Sequence, residues 1–202
     1  MKRTILVIGG TVLITVSALL ACNSSQQPVA HANEGIEYGP KVASLSSDEL
    51  VARGRYLVTI MGCNDCHSPK VMTPQGPAPD SAHLLSGHPA KMPLAAIDPK
   101  ATKDWILFNQ SLTAFAGPWG VSFAANITSD ASGIGNWTEE QFFRAMREGK
   151  YKGMEGGRPM LPPMPWQQFK HATDEDLRAI FSYLKATPAV DNVVPAPLPP
   201  KS

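Results

Sequence analysis

The pentapeptide Cys63-Asn64-Asp65-Cys66-His67 is the stretch from which the rest of the chain can be interpreted. A Cys-x-x-Cys-His run is the attachment motif of a c-type haem. Each thiol forms one thioether with a vinyl group of the porphyrin, and the adjoining histidine can bind the iron from the proximal side. We therefore predict one covalently attached haem c, bound by Cys63, Cys66 and His67.

Three other interpretations of this motif are a chance cluster, a zinc half-site and a redox-active or disulfide-bonded cysteine pair. A structural zinc site needs four ligands, commonly with a second pair of cysteines. The chain has three cysteines, and the third, Cys22, lies far from the motif in sequence. The histidine directly after the second cysteine favours haem over these alternatives.

The N-terminus has the pattern of an export signal. Lys2 and Arg3 precede an apolar run from Ile5 to Leu20, which are the charged and hydrophobic regions of a secretory signal. The run ends in Leu-Leu-Ala-Cys, which resembles the lipobox of bacterial lipoproteins and makes Cys22 the predicted lipidation site. A single membrane-spanning anchor and plain secretion with an unpaired thiol are the alternatives.

Composition and the positions of turn-forming and helix-breaking residues divide the chain into four predicted segments. They are a lipoprotein signal peptide (1–21), a flexible tether (22–45), a haem domain (46–187) and a proline-rich tail (188–202). The tether is rich in Ser, Gln, Pro and Gly without hydrophobic periodicity. The formal net charge of +1 gives no basic excess that would indicate nucleic-acid binding. The predicted location is the bacterial periplasmic space, with the protein lipid-anchored to a membrane.

Three helices are predicted from their N-caps and from apolar residues at helical spacing. Ser46 and Thr138 each begin a capping box, and Thr173 begins the last helix. Gly149 is expected to end the second helix. The expected buried faces, from residues recurring every three or four positions, are Leu50, Leu57, Val58 and Met61; Phe142, Phe143, Ala145 and Met146; and Leu177, Ile180, Phe181 and Leu184.

The segment between the haem motif and Asn126 has no convincing periodicity. Its prolines between Ser68 and Ile97 would break any helix. The stretch from Lys103 to Phe123 combines aromatic residues with Gly and Pro turn signals, which is compatible with short strands or with irregular structure. The predicted fold class is therefore all-α, with this segment as a long irregular insertion.

Met164 is the predicted sixth ligand of the iron. A c-type haem with histidine on one side commonly takes methionine on the other. Met164 lies in a Pro-Pro-Met-Pro-Trp run, and Pro165 restricts it to an extended conformation. Such a stiff loop can hold a thioether over the iron at little ordering cost. Met160, in the same loop, is the alternative.

Several other side chains are secondary candidates around a haem. Trp119, Trp137 and Trp166 are expected to fill the pocket. Arg147 and Arg158 could pair with the haem propionates, because a guanidinium binds a carboxylate in a fork. His88 is expected at the surface or against a propionate. These three groups complete the predicted surroundings of the site.

Together these features resemble a class I cytochrome c with one haem. In that family the first and last helices cross beside the haem, which implies that Gly54 lets Tyr183 approach. The stretch from Asn126 to Leu184 is similar to the c-haem modules in cytochrome subunits of membrane-bound alcohol, aldehyde and gluconate dehydrogenases. In those modules the methionine that corresponds to Met164 is the axial ligand. Those subunits usually carry several haem motifs, whereas this chain carries one.

The resemblance implies an electron carrier rather than an enzyme. With both axial positions filled, no small-molecule substrate is expected. The expected partners are redox proteins: a dehydrogenase upstream and an oxidase or another cytochrome downstream. Two alternatives are a haem enzyme or gas sensor with an open distal site, and a fixed electron-transfer subunit of a dehydrogenase complex.

Overall fold

The computed structural model describes residues 45–98 and 100–200. The predicted signal peptide, Cys22 and the predicted tether up to residue 44 lie outside the described residues. Within the described part of the chain, none of the helices is both long enough and apolar enough to cross a lipid bilayer.

Helices and short strands alternate along the described chain. The helices are α1 (Ser47–Ile60), α2 (Cys63–His67), α3 (Ala101–Asp104), α4 (Glu139–Glu148), α5 (Trp166–Phe169) and α6 (Asp174–Ala186), with a 3-10 turn at Tyr151–Gly153. The strands are β1 (Lys70–Thr73), β2 (Gly76–Pro79), β3 (Leu107–Phe108), β4 (Ala114–Gly117) and β5 (Gly120–Phe123).

The three predicted N-caps are confirmed. The side chains of Ser46 and Thr138 each accept from the backbone N–H three residues on. The side chains of Glu49 and Gln141 accept in turn from the backbone N–H of Ser46 and Thr138, which completes both capping boxes. Thr173 caps α6 through the N–H of Asp176. These bonds satisfy amide groups that have no partner inside the helix. At the other end, Gly149 stops α4 in the left-handed conformation, with φ 65°.

The predicted all-α fold class is wrong, because the insertion folds into two antiparallel sheets. Strands β1 and β2 form a hairpin, and β3, β4 and β5 form a three-stranded sheet in that order. Neither has the pattern by which strands are recognised. All four residues of β4 are buried, so hydrophobic and polar residues do not alternate along it. Strand β2 contains Pro77 and Pro79, which sequence rules place outside strand interiors.

The hydrophobic core lies where α1, α4 and α6 meet. Its buried members include most of the residues predicted for the three helix faces, joined by Leu85 and Ile134 from loops. The full cluster is Leu57, Val58, Leu85, Ile134, Phe142, Met146, Leu177, Ala179, Ile180 and Leu184. The remaining predicted face residues are Ala145, which is buried, and four half-buried residues packed against the cluster, namely Leu50, Met61, Phe143 and Phe181.

Helix α1 crosses α6 at Gly54, as the resemblance implies. A Cβ atom at Gly54 would lie 1.9 Å from the carbonyl oxygen of Ala179 and 2.6 Å from the Cβ of Tyr183. The two backbones are therefore closer than any side chain at position 54 would permit. Beside this crossing, the guanidinium of Arg53 pairs with the carboxylate of Asp176 at 2.5 Å.

The C-terminal segment, residues 188–200, is hydrogen-bonded to the insertion at Asn192 and Leu198. The Asn192 side chain donates to the carbonyls of Ser86 and His88 at 2.7 and 2.9 Å. Further on, Leu198 pairs with Val121 of β5 through two backbone bonds of 2.8 and 2.9 Å. This segment therefore adds a pairing partner at the outer edge of β5.

Replacing Gly54 by alanine should destabilise the fold. The added methyl group must displace the α6 backbone, and overpacking of this kind costs about 1–3 kcal/mol. That loss outweighs the gain of about 1 kcal/mol that alanine brings to a helix. The free energy of unfolding, measured by urea denaturation, is the readout. Ala52→Gly at an exposed position of α1 is the control for propensity alone, and a Gly54→Ala variant more stable than wild type would contradict the close crossing.

Candidate functional site

The Cys-x-x-Cys-His motif forms the short helix α2, directly after α1. Gly62 joins them with φ 68°, in the left-handed region that glycine adopts without strain. This residue separates the end of α1 from the start of α2. The side chains of Cys63, Cys66 and His67 are all half-buried.

The ring of His67 is oriented by a backbone carbonyl of the insertion. Its Nδ1 lies 2.7 Å from the oxygen of Ala125. Because a carbonyl only accepts, the Nδ1 carries the proton and donates it. The neutral ring then has its lone pair on Nε2, the arrangement found when a histidine binds a metal and its other nitrogen is held by a backbone carbonyl. Burial lowers the pKa of His67, with the bond to Ala125 opposing that shift, so the neutral ring is favoured.

The two thiols do not have the electrostatics of a redox pair. Burial raises the pKa of Cys63 to about 11. Burial also raises the pKa of Cys66, and the nearby Asp65 carboxylate adds to the shift. Redox-active Cys-x-x-Cys pairs have the opposite property, a lowered pKa that supplies a thiolate. The environment therefore favours the haem interpretation over a redox dithiol.

The two candidate sixth ligands lie in different surroundings. Met164 is half-buried and packs against the hydrophobic core, as does Cys63. Met160 is half-buried too, but its backbone N–H is bonded to the carbonyl of Gly149 at 2.7 Å, at the end of α4. The structure thus places the Met164 side chain on the same core as the haem motif. Ligation of iron by Met164 stays a prediction.

The insertion contacts both the histidine and the methionine loop. Ser122 of β5 donates its hydroxyl to the carbonyl of Pro162 at 2.5 Å, and it accepts from the indole N–H of Trp119 at 3.2 Å. Three residues further on, Ala125 accepts from His67. A single stretch of chain therefore contacts both the ring of His67 and the loop that contains Met164.

Sequence reasoning missed Ser122 and Ala125. Ala125 acts through its main-chain oxygen, for which the side chain gives no signal. Ser122 is one of many serines in the chain, and its role depends on a strand that the sequence did not define. The Asn-Ile-Thr stretch that begins at Asn126 marks this position along the chain, but not the carbonyl that precedes it.

The tryptophans support the methionine loop and the core. A Cβ atom at Gly149 would lie 2.2 Å from Cε2 of Trp166, so the indole that follows the Met-Pro pair rests on the end of α4. Trp137 packs against the core cluster, and Trp119 reaches Ser122. Their predicted contact with a haem ring remains a prediction.

Both secondary arginine candidates have partners within the protein. Arg147 pairs with the carboxylate of Asp174 at 2.5 Å. Arg158 stacks on the ring of Tyr151, with its guanidinium carbon 3.8 Å from the ring centroid. Pairing with propionates would have to share or replace these contacts.

The expectation of a surface position for His88 is wrong, because His88 is fully buried. Its Nδ1 lies 2.9 Å from the hydroxyl of Thr113, and its ring lies 4.7 Å from that of Phe123. Among the described residues, Nε2 has no hydrogen-bond partner. The main chain is held as well, since the N–H of His88 donates to the carbonyl of Ala124 at 2.9 Å.

Comparison with known proteins gives relatives whose names state a cytochrome role. The chain is 27% identical over 178 residues to the fructose dehydrogenase cytochrome subunit of Gluconobacter japonicus, covering 88% of this chain and 27% of that protein. It is 29% identical over 139 residues to the gluconate 2-dehydrogenase cytochrome c subunit of Pantoea cypripedii, covering 68% and 23%. It is 26% identical over 149 residues to the cytochrome c subunit of the quinone-dependent alcohol dehydrogenase of Gluconobacter oxydans, covering 73% and 23%.

These similarities support a relationship to the cytochrome c family, and with it a haem c cofactor and an electron-transfer role. The chain spans about a quarter of the length of each of these three cytochrome subunits. No protein-family model matches the chain.

Replacing Ser122 by alanine should loosen the methionine loop. The change removes the bonds to the Pro162 carbonyl and the Trp119 N–H, and a hydrogen bond of this kind contributes about 0.5–1.5 kcal/mol to stability. We expect lower stability in urea and faster hydrogen exchange at the Trp166 amide, which is bonded to Met164 within the loop. Ser81→Ala, at an exposed position, is the control. Equal exchange in the two variants would contradict the bracing role of Ser122.

Proposed function

We propose that this protein is a membrane-tethered cytochrome c with one haem, which carries single electrons between redox proteins. The observation that supports this most directly is the bond from His67 to the Ala125 carbonyl. It leaves Nε2 as the free, unprotonated nitrogen of a ring that directly follows a thioether-forming cysteine. The donor set of two thiols, one imidazole and one thioether fits a c-type haem.

Each residue has a defined role in this proposal. Cys63 and Cys66 attach the porphyrin, His67 binds the iron from the proximal side, and Met164 binds it from the distal side. When bound, the haem supplies an iron that alternates between the ferric and ferrous states. Ala125 fixes the plane of the imidazole, and Ser122 fixes the loop that carries the thioether. A site with both axial ligands held in this way changes little in geometry between the two oxidation states.

A fixed place in a dehydrogenase complex is the second candidate. It is favoured by the names of the relatives, which are called cytochrome subunits of a dehydrogenase. In both candidate functions the chain transfers electrons and does not itself act on the substrate that the dehydrogenase oxidises. Co-purification of a dehydrogenase after mild detergent extraction would favour the fixed subunit, and recovery of the cytochrome alone would favour the free carrier.

The proposed tether is a lipid on Cys22, after removal of residues 1–21. A flexible linker to a lipid would confine the haem domain to one membrane face and raise the local concentration of its partners. The proposed location is the periplasmic side of a bacterial membrane, because a secretory signal and a c-type haem motif occur in the same chain.

Met164→Ala should remove the sixth ligand and Met160→Ala should not. In the oxidised wild type we expect the charge-transfer band from methionine sulfur to ferric iron. The band should disappear in Met164→Ala, leaving a high-spin ferric spectrum, and should be retained in Met160→Ala. Loss of the band only in Met160→Ala would reassign the ligand, and a high-spin spectrum in the wild type would instead favour an enzyme or sensor with an open distal site.

The covalent link and the tether can be tested with the cysteines. Haem should migrate with the wild-type polypeptide on a denaturing gel, and this pigment should be lost when Cys63 and Cys66 are both replaced by serine. In Cys22→Ser the pigment should remain, while the protein no longer incorporates labelled fatty acid. A wild-type chain without pigment would refute the cytochrome proposal, and a lipid-free wild type would refute only the tether.

A further inference from the structure

The side chain of Lys70 closes the end of the helix that carries the haem motif. Lys70 is the first residue of β1, and its ammonium turns back over α2. It donates to the carbonyls of Ser68 at 2.5 Å, Asp65 at 2.9 Å and Asn64 at 3.2 Å. The last carbonyls of a helix lack partners within it. In α2 the Asn64 and His67 carbonyls also accept from the backbone N–H groups of Ser68 and Gly87, and Lys70 supplies the side-chain donor to the Asp65 carbonyl.

These contacts require the charged form of the lysine. A neutral amine has two N–H donors, whereas the ammonium has three, which matches the three carbonyls within close bonding distance. A fourth carbonyl, that of Ser111 from the insertion, lies 3.5 Å away. The Lys70 side chain is half-buried, so its charge is screened less by water than that of an exposed lysine.

The charge is close enough to act on the haem motif. The carbonyls of Asp65 and Ser68, which Lys70 contacts at 2.9 and 2.5 Å, belong to the residues that flank Cys66 and His67 in the chain. Burial lowers the pKa of Lys70, and the charge of the Asp65 carboxylate opposes that shift. The groups in contact with this ammonium are thus main-chain carbonyls, those of Asn64 and Asp65 in α2 and those of Ser68 and, at 3.5 Å, Ser111.

We propose that Lys70 is a positioning residue that caps the haem-motif helix and holds a fixed positive charge beside the proximal ligand, which raises the reduction potential of the haem. This inference rests on the proposed cytochrome function. Ferric haem carries one more positive charge than ferrous haem, so a nearby cation destabilises the ferric form. Burial and groups around the ligands are among the means by which a protein sets this potential.

The test is a spectroelectrochemical titration of the holoprotein and its variants. In Lys70→Gln we expect the ferric-to-ferrous ratio at a fixed applied potential to rise about threefold to tenfold, where tenfold corresponds to about 59 mV for a one-electron couple. Lys70→Arg, which keeps the charge, should return the ratio most of the way to that of the wild type. Lys91→Gln removes one charge at an exposed position and should change the ratio much less. Equal ratios in Lys70→Gln and Lys91→Gln would overturn the proposal.

A second measurement needs no variant and so does not depend on Lys70→Gln folding. By thermodynamic reciprocity, reduction of the haem must lower the acid dissociation constant of the Lys70 ammonium, and so raise its pKa. The factor is the one by which the Lys70 charge lowers the ferric-to-ferrous ratio. Nitrogen NMR of the wild type in both oxidation states measures this difference, and identical titration in the two states would refute the inference. A wild type that binds no haem would fail the proposed function itself, whereas a haem-loaded wild type with no dependence on Lys70 fails only this inference.

Discussion

The hydrogen bond from His67 to the Ala125 carbonyl is the constraint on which the site depends. It selects one tautomer of the ring and fixes its plane, and both are needed before Nε2 can face a metal. The bond joins residues 58 positions apart, so it exists only when the insertion has folded beside α2. The sheets that interrupt the helical core are therefore part of the site and not an appendage to it.

The insertion is held in place by short-range contacts of its main chain rather than by packed helices. Strand β5 touches the methionine loop through Ser122, and the residues after it pair with the stretch that ends at His88. On its other edge, β5 is paired with Leu198. Each of these contacts uses backbone groups or a small polar side chain, and such groups leave no hydrophobic periodicity in the sequence. This explains why the stretch carries little pattern of its own.

The helical part of the fold could be predicted from the sequence because each signal was local. Ser46, Thr138 and Thr173 cap helices through bonds that reach only three residues. The apolar faces repeat with the helical period. The haem motif is also local, since covalent attachment requires its residues within one short stretch. Gly54 was found through a family resemblance, and its role is confirmed by the close approach of Ala179.

What could not be predicted depends on contacts between distant residues. Hydrophobic and polar residues do not alternate along the buried strand β4, and β2 contains two prolines. The sheets therefore could not be predicted from hydrophobic periodicity. His88 is buried against Thr113 and Phe123 of the insertion, and its neighbours Gly87 and Pro89 give no sign of these contacts. The acceptor for His67 is a main-chain oxygen, and the cap on α2 is a lysine from the following strand. Each of these depends on tertiary structure rather than on residue type.

The crossing of α1 and α6 has a consequence for folding. Arg53 and Asp176, which pair beside the crossing, are 123 positions apart, and a contact that closes so large a loop costs more chain entropy than a local one. The core therefore requires helices from both ends of the described chain. Cys63, which packs against this core, acquires its native surroundings only in a chain that contains both α1 and α6.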